Sequence, residues 1–439
     1  MPNPKIDYRK RDVQKRTPLR ERLRARLKQI ASLVMPKFEH RLGNVYELAP
    51  DNKRQWYFMA AAALLFFFVC ATSVWYISKD FSSSSSDQAT DQVREAGPFE
   101  DATDEEAFIY DISSWSNRDL AAQMLIVITP SYEPGTLYSL AEQGIGGVVL
   151  SSDYPVGDLG DHIKSAQDTV PHGIKMFISS DEEGGTLLRL QTLLGHFPSH
   201  ATMGSWSSHQ ITDEVFRYGQ LLVGLGINLA LGPVADLKVE GSYMTLEERT
   251  FAHDPSDVAR CVIAWQKGMH QAGVAVAPKH WPGMGSANDT HLFSSTIAPL
   301  ESLINHDMVP FEAAWTHGAE MIMVAHVISS GLTQEGVPAT VSPSALTYLR
   351  QQAGDRVVII TDAMDMGGVI DYLGVDVNEA VIQSAVAGAD VVMSTIETEG
   401  TIQALTYALD TGRLPREQAE ASVMRILALK EKMGLSTYR

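Results

Sequence analysis

The segment Val357–Gly368, VVIITDAMDMGG, carries the pattern that decides the fold of this chain. Five apolar or β-branched residues lead straight into Asp362, with no charged residue among them. A run this short and this apolar is typical of a strand that is buried on both faces of a parallel sheet. The carboxylate lies just beyond the run, where parallel α/β folds collect their functional side chains. We therefore predict a buried strand that ends at a functional site.

Seven further apolar runs repeat this pattern, with longer amphipathic segments between them. The eight runs are Met124–Thr129, Gly147–Ser151, Lys175–Ser179, Asn228–Leu231, Val274–Ala277, Met321–Ala325, Val357–Thr361 and Val391–Ser394. The helical segments include Asp257–Gln271, Leu300–Thr316, Val375–Ala387 and Leu414–Met433. Eight strand–helix units predict an α/β fold, a single TIM-like (β/α)8 barrel over residues 108–439. A doubly wound open sheet is the competing architecture, and the sequence shows no glycine-rich phosphate loop that would favour it.

The chain before residue 108 has a different character. Residues 1–54 carry fifteen Lys and Arg against six Asp and Glu, so the net charge of −18 leaves −27 on the remainder. Trp56–Ile77 contains no charged residue, and a helix of this length spans about 33 Å, enough to cross a bilayer. We predict a basic segment 1–54, a transmembrane helix 55–78 and a Ser-rich acidic, disordered linker 79–107.

Charge sets the expected orientation and partners. Because the basic residues precede the apolar run, the positive-inside rule places the N-terminus in the cytoplasm and the rest outside a single-pass cell-membrane protein. The basic arm fits contact with anionic lipid and a solvated tail equally well, and we expect no nucleic acid partner. The chain has two cysteines, of which Cys261 lies in a helical pattern and fits a core position, so we expect no disulfide framework. We expect a monomer.

Titratable side chains follow the predicted strands more consistently than scattered surface charge would. They are Asp181 after strand three, Asp236 after four, Lys279 and His280 after five, His326 after six and Asp362 after seven. A carboxylate beside a buried strand needs compensating groups, and Lys279, Arg189 and Arg249 are the available cations. A structural ion pair or a helix cap is the alternative interpretation of Asp362.

The stretch Lys279–His291, KHWPGMGSANDTH, adds an aspartate and a histidine on a loop that contains glycine and proline. Asp289 and His291 are two residues apart, so in an extended loop the carboxylate can hydrogen-bond the imidazole and orient it. Such a pair is a general acid/base unit. Taken alone, a structural pairing within the loop is the simpler explanation.

Five segments together resemble motifs of glycoside hydrolase family 3, in its bacterial β-N-acetylglucosaminidase (β-hexosaminidase) branch. They are DEEGGTLLRL, GINLALGPVADL, ERTFAHDPSDVA, KHWPGMGSANDTH and ITDAMDMGGV, in the family's order over residues of about 110–370. The chain departs from the family pattern at Met284, where histidine is usual. Its interval from Lys279 to His291 is also one residue shorter than usual.

The resemblance implies a role for each matching residue. Asp362 would be the nucleophile that forms a covalent glycosyl-enzyme, and His291 the general acid/base with Asp289 as its partner. The sugar-binding set would be Asp181, Arg189, Arg249, Lys279, His280 and, with a less defined role, His326. The implied enzyme is a retaining exo-β-N-acetylglucosaminidase that releases terminal β-linked GlcNAc from cell-wall or other glycans, as in peptidoglycan turnover, without a cofactor or metal.

Three other functions remain open at this point. A metal-dependent hydrolase would need closely paired ligands, and none of His280, His291 and His326 forms an H-x-H or H-x-x-x-H pair. A GlcNAc phosphorylase would use the same residues with phosphate in place of water. A catalytically impaired glycan-binding homologue would keep the sugar-binding set without needing Asp362 or His291.

Overall fold

The computed structural model describes residues 110–129, 134–151, 157–285, 287–394 and 398–436. The basic segment 1–54, the predicted transmembrane helix 55–78 and the predicted linker 79–107 lie outside the described residues. Among the helices of the described ranges, none is both long and apolar enough to cross a membrane.

The described part of the chain is built around eight parallel strands. In chain order they are β1 Leu125–Thr129, β2 Gly147–Leu150, β3 Phe177–Ser180, β4 Leu229–Ala230, β5 Ala275–Val276, β6 Met321–Val324, β7 Val358–Ala363 and β8 Val391–Ser394. Their spatial order is β5-β4-β3-β2-β1-β8-β7-β6, so each strand pairs with its neighbours in sequence and β1 pairs with β8. Each of the eight predicted apolar runs contains one of these strands or most of it.

The ring closes between β5 and β6 through the residues that follow β5. The Trp281 amide donates to the Met323 carbonyl at 2.8 Å, and the Ala325 amide donates to the Trp281 carbonyl at 2.8 Å. Trp281 and Val324 form a parallel bridge. The strand order therefore runs around a closed barrel, as predicted, and lacks the reversal of a doubly wound sheet.

Helices surround the strands. They are α1 Asn117–Gln123, α2 Pro134–Glu142, α3 Leu159–Gln167, α4 Gln191–Leu194, α5 His200–Met203, α6 Ser208–Gly224, α7 Tyr243–Leu246, α8 Pro255–Ala272, α9 Leu300–Ile304, α10 Val309–Thr316, α11 Pro343–Ala353, α12 Ile370–Leu373, α13 Val377–Ala387, α14 Thr398–Asp410 and α15 Arg416–Lys432. Local sequence explains their limits. In α8, the Asp254 carboxylate accepts the amides of Ser256 and Asp257, and Gly273 ends the helix in a left-handed conformation.

The helical segment predicted over Leu300–Thr316 is divided into two helices. The segment forms α9 and α10, with Asn305 ending the first helix and Met308 preceding the second. Pro310 lies in the first turn of α10. Because proline has no amide hydrogen and clashes with the preceding turn, it is tolerated there but would interrupt a continuous helix.

Strand interiors and the inward faces of the helices form one apolar core. Leu125, Ile126, Ile178 and Ile359 are fully buried, as strands covered on both faces require. Cys261 is also fully buried on α8, and burial raises the pKa of its thiol to about 11. It occupies the core position that its helical pattern predicted.

Both ends of the described domain lie on the amino-terminal face of the barrel. The Tyr110 hydroxyl donates to the Leu427 carbonyl at 3.2 Å near the end of α15. The Lys175 amide, just before β3, donates to the Leu435 carbonyl at 2.8 Å. The carboxyl ends of the strands, where the titratable residues gather, form the opposite face.

Candidate active site

A buried network of ion pairs lies at the carboxyl ends of β3 and β5 and on the loop after β4. The Lys279 Nζ lies 2.7 Å from the Asp181 Oδ1 and 2.7 Å from the Glu183 Oε1. The Arg249 Nε and Nη2 contact the two Glu183 oxygens at 2.7 and 2.9 Å. Burial would raise the pKa of Glu183, but Arg249 and Lys279 outweigh it and hold that pKa far below its ordinary value.

Glu183 is a residue whose role the sequence did not reveal. It stands in the DEEGG motif, but three consecutive acidic residues give no sign of which one faces the cations. Its side chain is almost fully buried and joins the two cations predicted to bind the sugar. Asp181 is the more exposed acidic partner of Lys279, and it is the one placed to meet a ligand.

His280 lies beside this network and is held by Asp236. Its Nδ1 lies 2.7 Å from the Asp236 Oδ2, and the other oxygen of Asp236 accepts the Met284 amide at 2.7 Å. The Met284 side chain is buried. The residue that departs from the family pattern therefore packs into the core, and its backbone fixes the carboxylate that orients His280.

Asp362 ends β7 and is half-buried among histidines. Burial would raise the pKa of Asp362, but the neighbouring His280, His326, Ala363 amide and His291 lower it below its ordinary value. The Ala363 amide donates to the Asp362 Oδ1 at 2.8 Å. A carboxylate kept ionised at the end of a barrel strand is suited to nucleophilic attack.

His326 lies buried beside the end of β7 that carries Asp362. It is fully buried, with Nε2 2.9 Å from the Ala363 carbonyl and Nδ1 2.9 Å from the Thr340 hydroxyl. Burial lowers its pKa, which favours the neutral ring. With both ring nitrogens bonded, His326 supports the strand end that carries Asp362, and its predicted sugar contact stays a prediction.

Asp289 and His291 form the predicted pair. The His291 Nδ1 lies 2.6 Å from the Asp289 Oδ1, which also accepts the His291 amide at 3.0 Å. The His291 side chain is 60% exposed, while its Nδ1 is held by Asp289. The loop places an oriented, accessible histidine within electrostatic reach of Asp362.

A glycine pair fastens this loop to the segment that follows Asp362. The amides of Gly367 and Gly368 donate to the carbonyls of His291 and Thr290 at 3.0 and 3.1 Å. A Cβ at Gly368 would lie 2.6 Å from the Thr290 oxygen, and one at Gly367 would lie 2.7 Å from the Leu292 oxygen. Side chains at these positions would push the loop away, so the glycines determine how closely His291 approaches Asp362.

Two further side chains complete the surroundings. Arg189 is partly buried, and its Nε is buried without a hydrogen-bond partner among the described residues. Tyr243 of α7 lies with its ring centroid 6.0 Å from the Arg249 guanidinium. Burial raises the pKa of Tyr243. Arg249 lowers this pKa, and the carboxylates of Asp289 and Glu183 raise it. Tyr243 therefore adjoins Arg249 of the ion-pair network, a placement without a sequence signal.

In the part of the chain that the structure describes, no group of three or more His, Cys, Asp or Glu side chains is arranged to hold a metal ion. The site combines a carboxylate, an oriented imidazole and paired charges. This set can carry out nucleophilic attack and proton transfer.

Comparisons with known proteins agree with this chemistry. The model of the glycosyl hydrolase family 3 N-terminal domain matches residues 121–429. The β-hexosaminidase LpqI of Mycobacterium bovis is 31% identical over 328 residues, which cover 72% of this chain and 83% of that protein. A β-hexosaminidase of Stenotrophomonas maltophilia is 32% identical over 270 residues, which cover 58% of this chain and 77% of that protein.

Solved structures give the same result for the fold. A family 3 glycosyl hydrolase of Mycobacterium smegmatis superimposes with a TM-score of 0.67 at 27% identity, covering 73% of this chain and 98% of that one. Mycobacterium tuberculosis LpqI superimposes with a TM-score of 0.67 at 28% identity, covering 72% of this chain and 94% of that one. The chain therefore belongs to glycosyl hydrolase family 3 and is a glycoside hydrolase of the β-hexosaminidase type.

Proposed function

We propose that the protein is a membrane-anchored, retaining exo-β-N-acetylglucosaminidase that hydrolyses terminal β-linked GlcNAc from cell-wall or other glycans. The observation that carries the proposal is the Asp289–His291 hydrogen bond of 2.6 Å, on a loop fastened to the segment just beyond Asp362. It supports a nucleophile and a separate proton donor acting on one glycosidic bond.

In the first step, the Asp362 carboxylate attacks the anomeric carbon and forms the covalent glycosyl-enzyme. The bond from that carbon to the leaving-group oxygen breaks, and His291 gives this oxygen a proton from Nε2. Asp289 holds Nδ1, so it fixes the tautomer that presents Nε2 to the substrate. We assign Asp181, Arg189, Arg249, Lys279 and His280 to binding and positioning the sugar.

In the second step, His291 takes a proton from water, and the water oxygen attacks the anomeric carbon. The bond to Asp362 breaks, which releases GlcNAc with its original β configuration and regenerates the carboxylate. His326 bonds the Ala363 carbonyl next to Asp362, so we assign it a positioning role.

The full chain should hydrolyse a chromogenic β-N-acetylglucosaminide. Because Asp362→Asn removes the nucleophile and His291→Gln the proton donor, we expect kcat/KM to fall by at least about 100-fold in each variant. His209→Gln is a matched control, since His209 is 84% exposed and pairs with Asp213 at 2.6 Å on α6. Full turnover by either site variant would contradict that residue's proposed role. No turnover by the parent would favour the alternative of a catalytically impaired glycan-binding homologue.

The stereochemistry and the acceptor of the sugar need a separate measurement. Proton NMR of the first product should show the β anomer before mutarotation, because two inversions at one carbon give retention. Reactions with and without inorganic phosphate distinguish hydrolysis from phosphorolysis. A sugar phosphate as the main product would establish the phosphorylase instead.

Membrane anchoring is supported by the sequence of Trp56–Ile77 and by the basic residues before it. It implies a single-pass protein with a cytoplasmic N-terminus and an extracytoplasmic enzyme domain. In cell fractionation, the full chain should stay in the membrane pellet after alkaline carbonate washing. A variant without residues 1–78 should move to the supernatant, and its retention in the pellet would contradict the proposed anchor.

A further inference from the structure

Large apolar side chains are exposed at the mouth of the barrel. Leu292 is 62% exposed and Phe293 46% exposed, and both follow His291 directly. Leu246 at the end of α7 and Tyr372 on α12 are 72% and 44% exposed. Exposed apolar side chains that gather around one site indicate a binding surface more often than scattered ones do.

The backbone contacts that position His291 also position Leu292 and Phe293. The Leu292 amide donates to the Asp289 carbonyl at 3.1 Å and closes the turn. A Cβ at Gly368 would lie 3.4 Å from the Phe293 carbonyl carbon, so the Phe293 backbone packs against the same glycine pair. Leu292 and Phe293 are therefore held in place beside the proton donor.

The flanking residues belong to the segments that border this loop. Tyr243, on the same short helix as Leu246, is close enough to Asp289 for that carboxylate to raise its pKa. The Tyr372 amide donates to the Gly367 carbonyl at 3.1 Å, and the Gly367 amide bonds His291. Tyr372 thus comes from a segment bonded to the loop that carries Asp289 and His291 (the histidine loop), and Leu246 comes from the helix whose Tyr243 ring lies 6.0 Å from the Arg249 guanidinium.

The chemistry of the reaction indicates which part of the substrate this surface faces. A general acid has to contact the oxygen of the leaving group, so residues next to His291 border the leaving group. The sugar side is already lined by charged groups, including Asp181, Lys279 and Arg249. The apolar surface of Leu292 and Phe293 lies beside the proposed acid, so it suits the group that departs.

We propose that Leu292 and Phe293, flanked by Leu246 and Tyr372, form an apolar rim that binds the leaving group and makes the enzyme selective for β-N-acetylglucosaminides whose leaving group carries an apolar surface. This inference rests on the proposed function. It predicts that kcat/KM increases with the apolar area of the leaving group, because binding removes the apolar surfaces of both the rim and the leaving group from water.

The test uses the full chain and para-alkylphenyl β-N-acetylglucosaminides with methyl, propyl and pentyl substituents, whose leaving groups have nearly equal acidity. We expect kcat/KM to rise with chain length, on the order of tenfold from methyl to pentyl. In a Leu292→Ser/Phe293→Ser double variant this rise should disappear. Leu292→Met/Phe293→Leu keeps the surface apolar and should keep the rise.

A matched control changes exposed apolar residues elsewhere. Leu221 and Val223 on α6 are 37% and 44% exposed, and a Leu221→Ser/Val223→Ser variant should keep the parent's rise. Thermal unfolding of all variants checks that the serine pair has not disrupted the fold. An equal rise in the parent and the Leu292→Ser/Phe293→Ser variant, or no rise in the parent, would overturn the rim.

Calorimetric binding of S-linked analogues of the same series separates this inference from the proposed function, since these compounds resist hydrolysis. Tighter binding with longer chains, lost in the rim variant, supports the rim even if no O-linked compound is hydrolysed. Hydrolysis of every compound at one rate, with equal binding of the S-linked series, would support the glycosidase and reject the rim.

Discussion

Glu183 connects Lys279 and Arg249, the two cations that we propose bind the sugar. Both its oxygens are bound, to Lys279 and to Arg249, and water has almost no access to it. Removing one partner of a buried ion pair is costly, because the charge that remains is buried without compensation. Glu183 therefore holds Lys279 and Arg249 in position, and it would act on the proposed sugar ligand through them.

Glu183→Gln should lower the free energy of unfolding by about 3 kcal/mol, because it leaves two buried cations without their shared carboxylate. KM for the chromogenic substrate should rise as Lys279 and Arg249 shift. Urea denaturation and steady-state kinetics measure the two effects. Glu214→Gln is the control, since Glu214 pairs with Arg217 on the surface of α6 and should cost less than about 1 kcal/mol. Equal losses in the two variants would contradict this account.

Glu182, the neighbour of Glu183, has the opposite electrostatics. It accepts hydrogen bonds from Ser180, Leu190 and Tyr218, with no cation among them. Burial raises its pKa from 4.5 to about 7. Between these values the folded protein keeps a proton that the unfolded chain releases, so stability falls as pH rises through this window.

Glu182→Gln should abolish this fall, because the amide can accept from Ser180 and Leu190 and donate to Tyr218 without a titration. The parent should lose about 3 kcal/mol of unfolding free energy between pH 4.5 and 7 relative to the variant. Denaturant titrations at several pH values measure the difference. Exposed Glu142→Gln on α2 should follow the parent, and a Glu182→Gln curve parallel to the parent's would refute the assignment.

Among the elements, the loop that carries His291 is the one whose placement the proposed proton transfer requires. The His291 side chain is 60% exposed, so little packing of the side chain itself fixes its position. The fixed part is the backbone, bound through Thr290 and His291 to Gly367 and Gly368. The precision of proton transfer therefore depends on two residues that have no side chain.

Gly368→Ala should separate the loop from β7, because its Cβ would lie 2.6 Å from the Thr290 oxygen. A misplacement of about 1 Å can cost on the order of 100-fold in rate, so we expect kcat/KM to fall towards that extent. Steady-state kinetics with a folding check by circular dichroism tests this. Gly224→Ala at the end of α6 meets nothing within 4 Å and should keep full activity. Full activity of Gly368→Ala would show that the glycine pair does not position His291.

The eight strands were predictable because barrel strands are buried on both faces and appear as short continuous apolar runs. The Asp289–His291 pair was predictable because its partners are two residues apart. Glu183 and Arg249 are 66 residues apart, and His326 bonds Thr340 and Ala363, 14 and 37 residues away. Contacts of this kind depend on how loops fold over the barrel, and local sequence contains no record of them.

At the scale of the whole molecule, a lysine closes the amino-terminal face of the barrel. Lys430 on α15 is fully buried, donates to the Gln123 Oε1 at 2.9 Å and lies 4.9 Å from the ring centroid of Phe177. It thereby connects the last helix to α1 and β3. Burial lowers its pKa from 10.5 to about 7.

The buried Lys430 predicts a second pH dependence of stability, opposite in sign to that of Glu182. Between pH 7 and 10.5 the unfolded chain binds a proton that the folded protein lacks, so stability rises with pH. Lys430→Met should remove this rise in denaturant titrations from pH 7 to 10. Lys267→Met on the exposed face of α8 should retain it. A parent without any rise would contradict the neutral buried lysine.

The positions of Tyr110 and Leu435 have a practical consequence. Both lie against the amino-terminal face of the barrel, and the histidine loop and its apolar neighbours lie on the other. A tag, a resin or a fused reporter joined just before Tyr110 or after Ser436 thus starts on the face remote from the mouth. Immobilised through either end, the enzyme should keep its kcat/KM for a bulky glycan, whereas attachment through the loops of the mouth should obstruct it.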